Sequence, residues 1–295
     1  MPVSGTVAVV GLGAIGSRLA ARIRQAGYET VVWNRTPHAA AHLVRMGAAA
    51  VSTPAKAAAR ADVVIVAVAD PAALAFVTDG PEGIASGVRP GTQLIVMSTV
   101  HPAAVVRLAH ALPGGADLLD APFLGSLAEA EQGRLRFFVG GTEAAFLRAE
   151  PVLRTLGTSR HLGDLGAGSA AKLVANYALL GTLAVLGEAI ALSDRLGLPR
   201  EHAFEVLAQT PLAGQAERRR PALDSGRYPP RFRLALARKD TDLMVAAADL
   251  TDHALPVLQS VRSWLLAAES QGRGDDDYTA LLAAITDRLG DGSAD

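Results

Sequence analysis

Lysine occurs at three positions in this chain of 295 residues, Lys56, Lys172 and Lys239, against twenty-five arginines. Arginine replaces lysine cheaply on a solvated surface, but not where a compact, titratable ammonium is required. Each lysine is therefore a candidate for chemistry. Lys172 has the most suggestive surroundings. In the run Gly168-Ser169-Ala170-Ala171-Lys172-Leu173-Val174-Ala175-Asn176, Lys172 and Asn176 fall at i and i+4, on one face of a helix. Asn176 costs helix propensity and needs partners if it is buried. An ammonium with an ordinary pKa near 10.4 is charged at neutral pH, so it can stabilise a developing oxyanion and give it a proton. The plainer alternative is a solvated lysine near a helix start and an asparagine bonded to nearby backbone.

A second constellation lies at the N-terminal end. Gly11-Leu12-Gly13-Ala14-Ile15-Gly16 follows a predicted strand and opens a predicted helix. The first glycine permits a tight turn, the second lets backbone amides approach a pyrophosphate, and the third lets helix and sheet pack closely. The strand–turn–helix context is what separates a dinucleotide site from a Gly-rich turn that binds nothing. The next strand ends in Trp33-Asn34-Arg35-Thr36, with no carboxylate. An NAD enzyme usually places Asp or Glu there, on the ribose 2′-hydroxyl. Arg35 instead offers a planar fork to a 2′-phosphate. Asn34 and Thr36 add neutral donors, and Thr36 before Pro37 also suits a helix N-cap. The expected cofactor is NADP(H).

Composition excludes several classes. Half the chain is apolar, 19% is charged and the net charge is -1, which fits neither a disordered chain nor a standing nucleic-acid partner. The one basic run, Arg218-Arg219-Arg220 before Pro221, reads as a solvated helix end. Cysteine is absent, so disulfides and thiolate chemistry are excluded and a cytoplasmic location is expected. Nothing at the N-terminus reads as a signal peptide. No metal is expected. Of the seven histidines only His38 and His42 stand at i,i+4, without an acidic neighbour; His101 before Pro102 reads either as a cleft residue or as a helix start.

The elements that must position these residues change character along the chain. Thr6–Val10, Thr30–Asn34, Asp62–Val68 and Leu94–Ser98 are strand-length apolar runs. They alternate with helical stretches at Ala14–Ala26, Pro37–Met46 and Pro71–Val77, the pattern of right-handed βαβ units and a parallel sheet. Further strands are expected at Asp117–Asp120, Leu135–Val139 and near Arg160–Leu162, with a helix over Glu143–Leu156. From Gly168 to about Leu196 runs one helix of nearly thirty residues, stopped by Gly197 and Pro199. Its Leu173–Leu192 stretch is apolar enough to be mistaken for a membrane span, but it holds Asn176 and Glu188, and burial between domains or subunits explains it better. Helices follow at Arg200–Gln209, Thr241–Leu250, Pro256–Glu269 and Tyr278–Leu289, with a frayed tail at Gly290–Asp295. The expected architecture is α/β, an N-terminal dinucleotide-binding domain over 1–164 and an all-α domain over 165–295 for substrate and dimerisation, joined by the long helix.

With GLGAIG, Ser98-Thr99 after the fourth strand, DAPFLGS at Asp120–Ser126, GSAAKLVAN, and Lys239-Asp240, the chain resembles the β-hydroxyacid dehydrogenases over nearly its whole length. That resemblance implies a Rossmann domain and hydride transfer to or from a small carbonyl or β-hydroxyacid substrate, with Lys172 catalytic and Asn176 orienting the substrate. It implies that Val68, Ala69, Thr99 and Lys239 join the cofactor site, and that Ser98, Thr99, Phe123, Leu124, Gly125, Ser126, Phe232 and Asp240 line or brace the substrate pocket. One position departs from the family. Many relatives read DAPVSGG, and the serine that donates to a substrate carboxylate is Leu124 here. Losing that charge-assisted bond is worth about 1.5–3 kcal/mol, so either the carboxylate is held elsewhere or the substrate is larger or less polar.

The chain also resembles the imine reductases in its Rossmann motif, its NRT-like loop and its long helix. Those proteins generally carry Asp or Tyr where Lys172 stands, and an ammonium would repel an iminium. A third reading is a non-catalytic NADPH-binding protein, which the intact Lys172 and Asn176 oppose. The long apolar helix has more surface than one small bundle covers, so a homodimer is expected, with a tetramer as the larger closed assembly.

Overall fold

The structure, a computed structural model, describes residues 5–249 and 255–290. It divides into two compact units, residues 1–172 and 173–295.

In the first unit, nine strands among the described residues form one sheet. They are β1 (Thr6–Val10), β2 (Glu29–Trp33), β3 (Ala49–Ala50), β4 (Val63–Val66), β5 (Gln93–Val96), β6 (Asp117–Asp120), β7 (Phe123–Leu124), β8 (Leu135–Gly140) and β9 (Gly157–Gly163). The order is β3-β2-β1-β4-β5-β6-β8-β7, with β9 also paired to β8. β3 to β6 pair in parallel, whereas β8 runs antiparallel to β6 and β7. The expected strands are present within two residues at their ends, except that β9 starts three residues before the expected Arg160; β3 and β7, of two residues each, lie below the length at which apolar alternation registers.

Side-chain alternation on β1 explains the layering. Val7 and Val9 pack with Leu19 and Ile23 of the helix Gly16–Gln25 in one core, and Ala8 and Val10 pack with Val64, Val66 and Leu74 in the other. Both faces are covered, as a parallel sheet requires. Because parallel strands end at the same edge, the loops after β1, β2, β4 and β5 gather at one edge of the sheet, where such folds bind ligands.

In the second unit the regular structure among the described residues is helical apart from an isolated bridge between Arg233 and Asp277. Its core is built on Leu180, Leu183, Leu186 and Ile190 of the helix Ala167–Arg195, which meet Leu258, Leu265, Leu281 and Ile285. That helix is long and apolar enough to cross a membrane, and half of its most apolar stretch is buried inside the protein. Four readings need correction. The helix expected from Thr241 starts at Leu234 and runs to Asp249; Leu250 lies outside the described residues. A helix over Ala213–Ser225 was not foreseen, and it continues through Pro221, so Arg218-Arg219-Arg220 do not end a helix. Tyr278–Ala280 is a 3-10 turn before the helix Leu281–Gly290. Gly290 thus ends that helix rather than starting a tail, and the rest of the expected tail, 291–295, lies outside the described residues.

Candidate functional site

The loop after β1 is shaped by steric necessity. Gly11 has φ +97°, and a Cβ there would lie 2.4 Å from the Ala67 carbonyl oxygen; a Cβ on Gly16 would lie 1.9 Å from the Gly11 carbonyl oxygen. Both glycines are demanded by the protein's own packing. Gly13 is different: a Cβ there would meet nothing within 4 Å. Its bare backbone faces open space beside the start of Gly16–Gln25, a helix whose N-cap, Ile15, supplies no side-chain cap. Uncapped amides and the helix dipole form a cradle for a phosphate.

Around this cradle a pocket of about 560 Å³ is lined by Gly11, Gly13, Asn34, Arg35, Thr36, Val68 and Ala69, with Trp33, Asp70 and Phe76 among its further residues. Leu12 and Gly16 are buried, and they, Ala14 and Ile15 shape the turn without lining the pocket. Asn34 is largely occupied: its Oδ1 accepts from Leu12 N at 2.9 Å and its Nδ2 donates to the Thr36 carbonyl at 3.1 Å. It ties the two loops together. Thr36 stands at the N-cap of Pro37–Ala40, but its side chain makes no capping bond. Arg35 is exposed and makes no ion pair among the described residues. The pocket therefore offers backbone amides at the glycine loop and an exposed guanidinium at Arg35, donors that suit a dinucleotide.

Phe76 was missed from sequence. It is 61% exposed, on the helix Pro71–Thr78, with its ring 6.4 Å from that of Trp33. Its i+3 and i+4 spacing from Ala73 and Ala72, in the helix after β4, was the available signal.

The second cluster surrounds the loop after β6. Asp120 is fully buried, and its carboxylate accepts from Gly166 N at 2.8 Å and Ser169 N at 2.5 Å. It caps the helix Ala167–Arg195 and so fixes where Lys172 emerges, a role that sequence reading did not assign. Lys172 is half-buried; its Nζ donates to the Phe123 carbonyl at 2.7 Å and lies 6.0 Å from that ring's centroid. The solvated-lysine reading is excluded. Leu124 is half-buried beside it. Gly125 has φ +128°, and a Cβ there would press within 2.7 Å of Leu135. Ser126 opens the helix Leu127–Gln132 in a capping box with Glu129, its N–H donating to that carboxylate at 2.8 Å. The Ser126 N–H is thus spent on the cap, while its buried hydroxyl has no hydrogen-bond partner among the described residues.

Ser98 is likewise engaged, accepting from Val68 N at 2.9 Å across the ends of β4 and β5. Thr99 is half-buried next to it. His101 is the N-cap of Pro102–Ala111, its Nδ1 accepting from Ala103 N at 3.1 Å. His38 and His42 are exposed, and among the described residues no group of acidic or histidine side chains is arranged to hold a metal.

The second unit holds a third cluster. Asn176, one turn after Lys172 on the same helix, is 1% exposed and donates to Asp240 Oδ2 at 2.7 Å. The Lys239 ammonium lies 2.8 Å from Asp240 Oδ1. Asn176 thus binds a side chain from the helix Leu234–Asp249, not nearby backbone. Phe232 precedes that helix, its N–H donating to Asp277 at 3.0 Å and its ring 5.4 Å from that of Tyr278.

A parallel sheet with a glycine cradle at its loop edge, followed by an all-helical unit, defines a dinucleotide-dependent oxidoreductase of the two-domain type. Residues 6–166 match the profile of the NAD binding domain of 6-phosphogluconate dehydrogenase, and 166–285 match the NAD-binding domain of NADP-dependent 3-hydroxyisobutyrate dehydrogenase. Glyoxylate/succinic semialdehyde reductase 2 of Arabidopsis thaliana, a chloroplastic protein, is 32% identical over 95% of this chain and 80% of its own length. Mycobacterium tuberculosis 3-hydroxyisobutyrate dehydrogenase, solved with L-serine, superposes with a TM-score of 0.83 at 27% identity, covering 96% of this chain and 99% of that one. An imine reductase of Myxococcus stipitatus in complex with NADP+ superposes with a TM-score of 0.64 at 25% identity, covering 95% and 99%. The chain belongs to the β-hydroxyacid dehydrogenase family of NAD(P)-dependent oxidoreductases.

Proposed function

We propose that this protein is an NADPH-dependent reductase of small carbonyl substrates, run in reverse as a β-hydroxyacid-type dehydrogenase, with Lys172 handling the proton. The observation that carries this reading is the half-buried Lys172 ammonium, fixed at 2.7 Å on the Phe123 carbonyl beside Leu124 and Gly125. A cation held there is pre-oriented toward whatever oxygen occupies the loop, which costs no reorganisation when charge develops.

A bound dinucleotide supplies the hydride from its nicotinamide ring. The rest falls to the chain. Lys172 gives its proton to the substrate oxygen in reduction and takes it back in oxidation. Asn176, held by Asp240, orients the substrate, and Lys239 keeps the Asp240 carboxylate paired. Arg35 pairs with the 2′-phosphate through a bidentate fork, and the missing carboxylate at the end of β2 removes the repulsion that would exclude it.

The second reading is an imine reductase, which the Myxococcus stipitatus structure brings into view. Lys172 favours the carbonyl: an ammonium gains nothing from an iminium of like charge. The decisive measurement is NADPH oxidation against a panel of semialdehydes, keto acids and cyclic imines, with the wild type and Lys172→Ala. Lys172→Ala is expected to lower kcat on the carbonyl panel by about a hundredfold or more, with NADPH affinity by fluorescence titration nearly unchanged. Turnover surviving within a few-fold would remove Lys172 from the chemistry, and activity confined to the cyclic imines would favour the second reading.

A further inference from the structure

The second unit contains a pocket lined by none of the proposed cofactor, substrate or catalytic residues. It measures about 370 Å³ and brings together Arg218, Arg219, Arg227 and Arg231 with Tyr228 and Asp277. None of the four arginines makes an ion pair among the described residues. Elsewhere in the same unit Arg200, Arg220, Arg233, Arg238, Arg262 and Arg273 each face a carboxylate. Pairing is the habit of this surface, and the pocket breaks it.

Its one acid does not compensate. Asp277 is 5% exposed and spent on the fold: Oδ2 accepts from Arg231 N and Phe232 N at 3.0 Å, and Oδ1 accepts from Thr279 Oγ1 at 2.7 Å and Thr279 N at 3.2 Å. Arg219 is held in place without being neutralised. Its guanidinium lies 5.3 Å from the centroid of the Tyr278 ring and donates through Nη2 to Tyr278 Oη at 2.5 Å. Burial pushes the Tyr278 phenol up from its ordinary range, so at neutral pH the acceptor is uncharged. The Arg219 Nε is buried and has no acceptor. A guanidinium with an unspent buried donor signals a missing acceptor, and four converging forks match oxyanions.

We propose that this pocket binds a small polyanionic metabolite, one carrying two or more phosphate or carboxylate groups. The concave shape and modest volume suit a small molecule, and a chain of net charge -1 lacks the extended basic face that a nucleic acid requires.

The experiment is isothermal titration of the full chain with pyrophosphate and with citrate at constant ionic strength. Arg227 and Arg231 are exposed, so Arg227→Ala/Arg231→Ala is expected to fold, with thermal unfolding as the check. Gly13→Asp, where a Cβ meets open space, sets a negative charge at the glycine cradle, and Arg35→Ala removes the cation beside it, so the two report any anion captured at the dinucleotide pocket. The expected result is saturable binding that the double variant weakens by about tenfold or more per guanidinium and that Gly13→Asp and Arg35→Ala leave unchanged. Tighter binding of pyrophosphate assigns the pocket to phosphorylated metabolites, and tighter binding of citrate assigns it to polycarboxylates. The proposal is overturned by three results: no saturable binding, equal affinity in the double variant, or stronger binding of a short single-stranded DNA at these arginines.

Discussion

Two cations divide the proposed chemistry, and their residue types match their tasks. Arg35 is exposed at a pocket rim, where a permanently charged fork can clasp a phosphate; Lys172 is half-buried, where a compact ammonium can give up a proton. Exchanging the sign at the first should reverse cofactor choice. Arg35→Asp is expected to move the NADPH/NADH ratio of kcat/KM toward NADH by about tenfold or more, since it removes a charge-assisted pair and supplies an acceptor for a ribose hydroxyl; an unmoved ratio would refute the 2′-phosphate assignment. Leu124 governs the other partner. With leucine at this position and the Ser126 N–H bonded to Glu129, position 124 itself offers the loop no hydroxyl donor. Leu124→Ser should therefore lower KM for carboxylate-bearing aldehydes by about tenfold and leave neutral aldehydes almost unaffected. Equal changes for both classes would mean that residue 124 is only a wall.

At the scale of elements, the site depends on how one helix begins. Asp120, at the end of β6, reaches Gly166 and Ser169 and thereby sets the rotation of Ala167–Arg195 that aims Lys172 at Phe123. Asp120→Ala should cost roughly 2–3 kcal/mol in chemical denaturation, as buried amides lose a charged acceptor, and should lower kcat more than it raises the Kd for NADPH. A full-activity, full-stability variant would show that the helix start is fixed by other contacts. This cap also marks the limit of what was legible in sequence. The glycine turn, the strand-end Arg35 and the long helix are local patterns, with glycine spacing and apolar runs readable in one window. Asp120 acts across forty-six positions, and no local period carries that. The helix Ala213–Ser225 escaped for the opposite reason: Pro221 is a local stop signal, yet the helix passes it. Asn176 was legible as a polar residue that needs partners if buried; that the partner is Asp240, sixty-four positions away, no local pattern carries.

For the whole molecule, the unresolved energy lies on the long helix. One side of it, Leu180, Leu183, Leu186 and Ile190, is sealed in the core of the second unit. The other carries Val174, Val185 and Leu192, each about half exposed or more. Fully burying a side chain of that kind is worth about 1.5–3 kcal/mol, and a stripe of them along several turns is a larger apolar surface than scattered exposure explains. A symmetric copy of the same face is the simplest cover, because an isologous contact needs only one self-complementary patch. Light scattering at micromolar concentration should accordingly give twice the chain mass, and Val185→Lys/Leu192→Lys should shift the protein toward monomer without lowering the helical signal. A wild-type monomer under those conditions would leave the stripe to another partner; a double variant that stayed dimeric would place the interface on a different face.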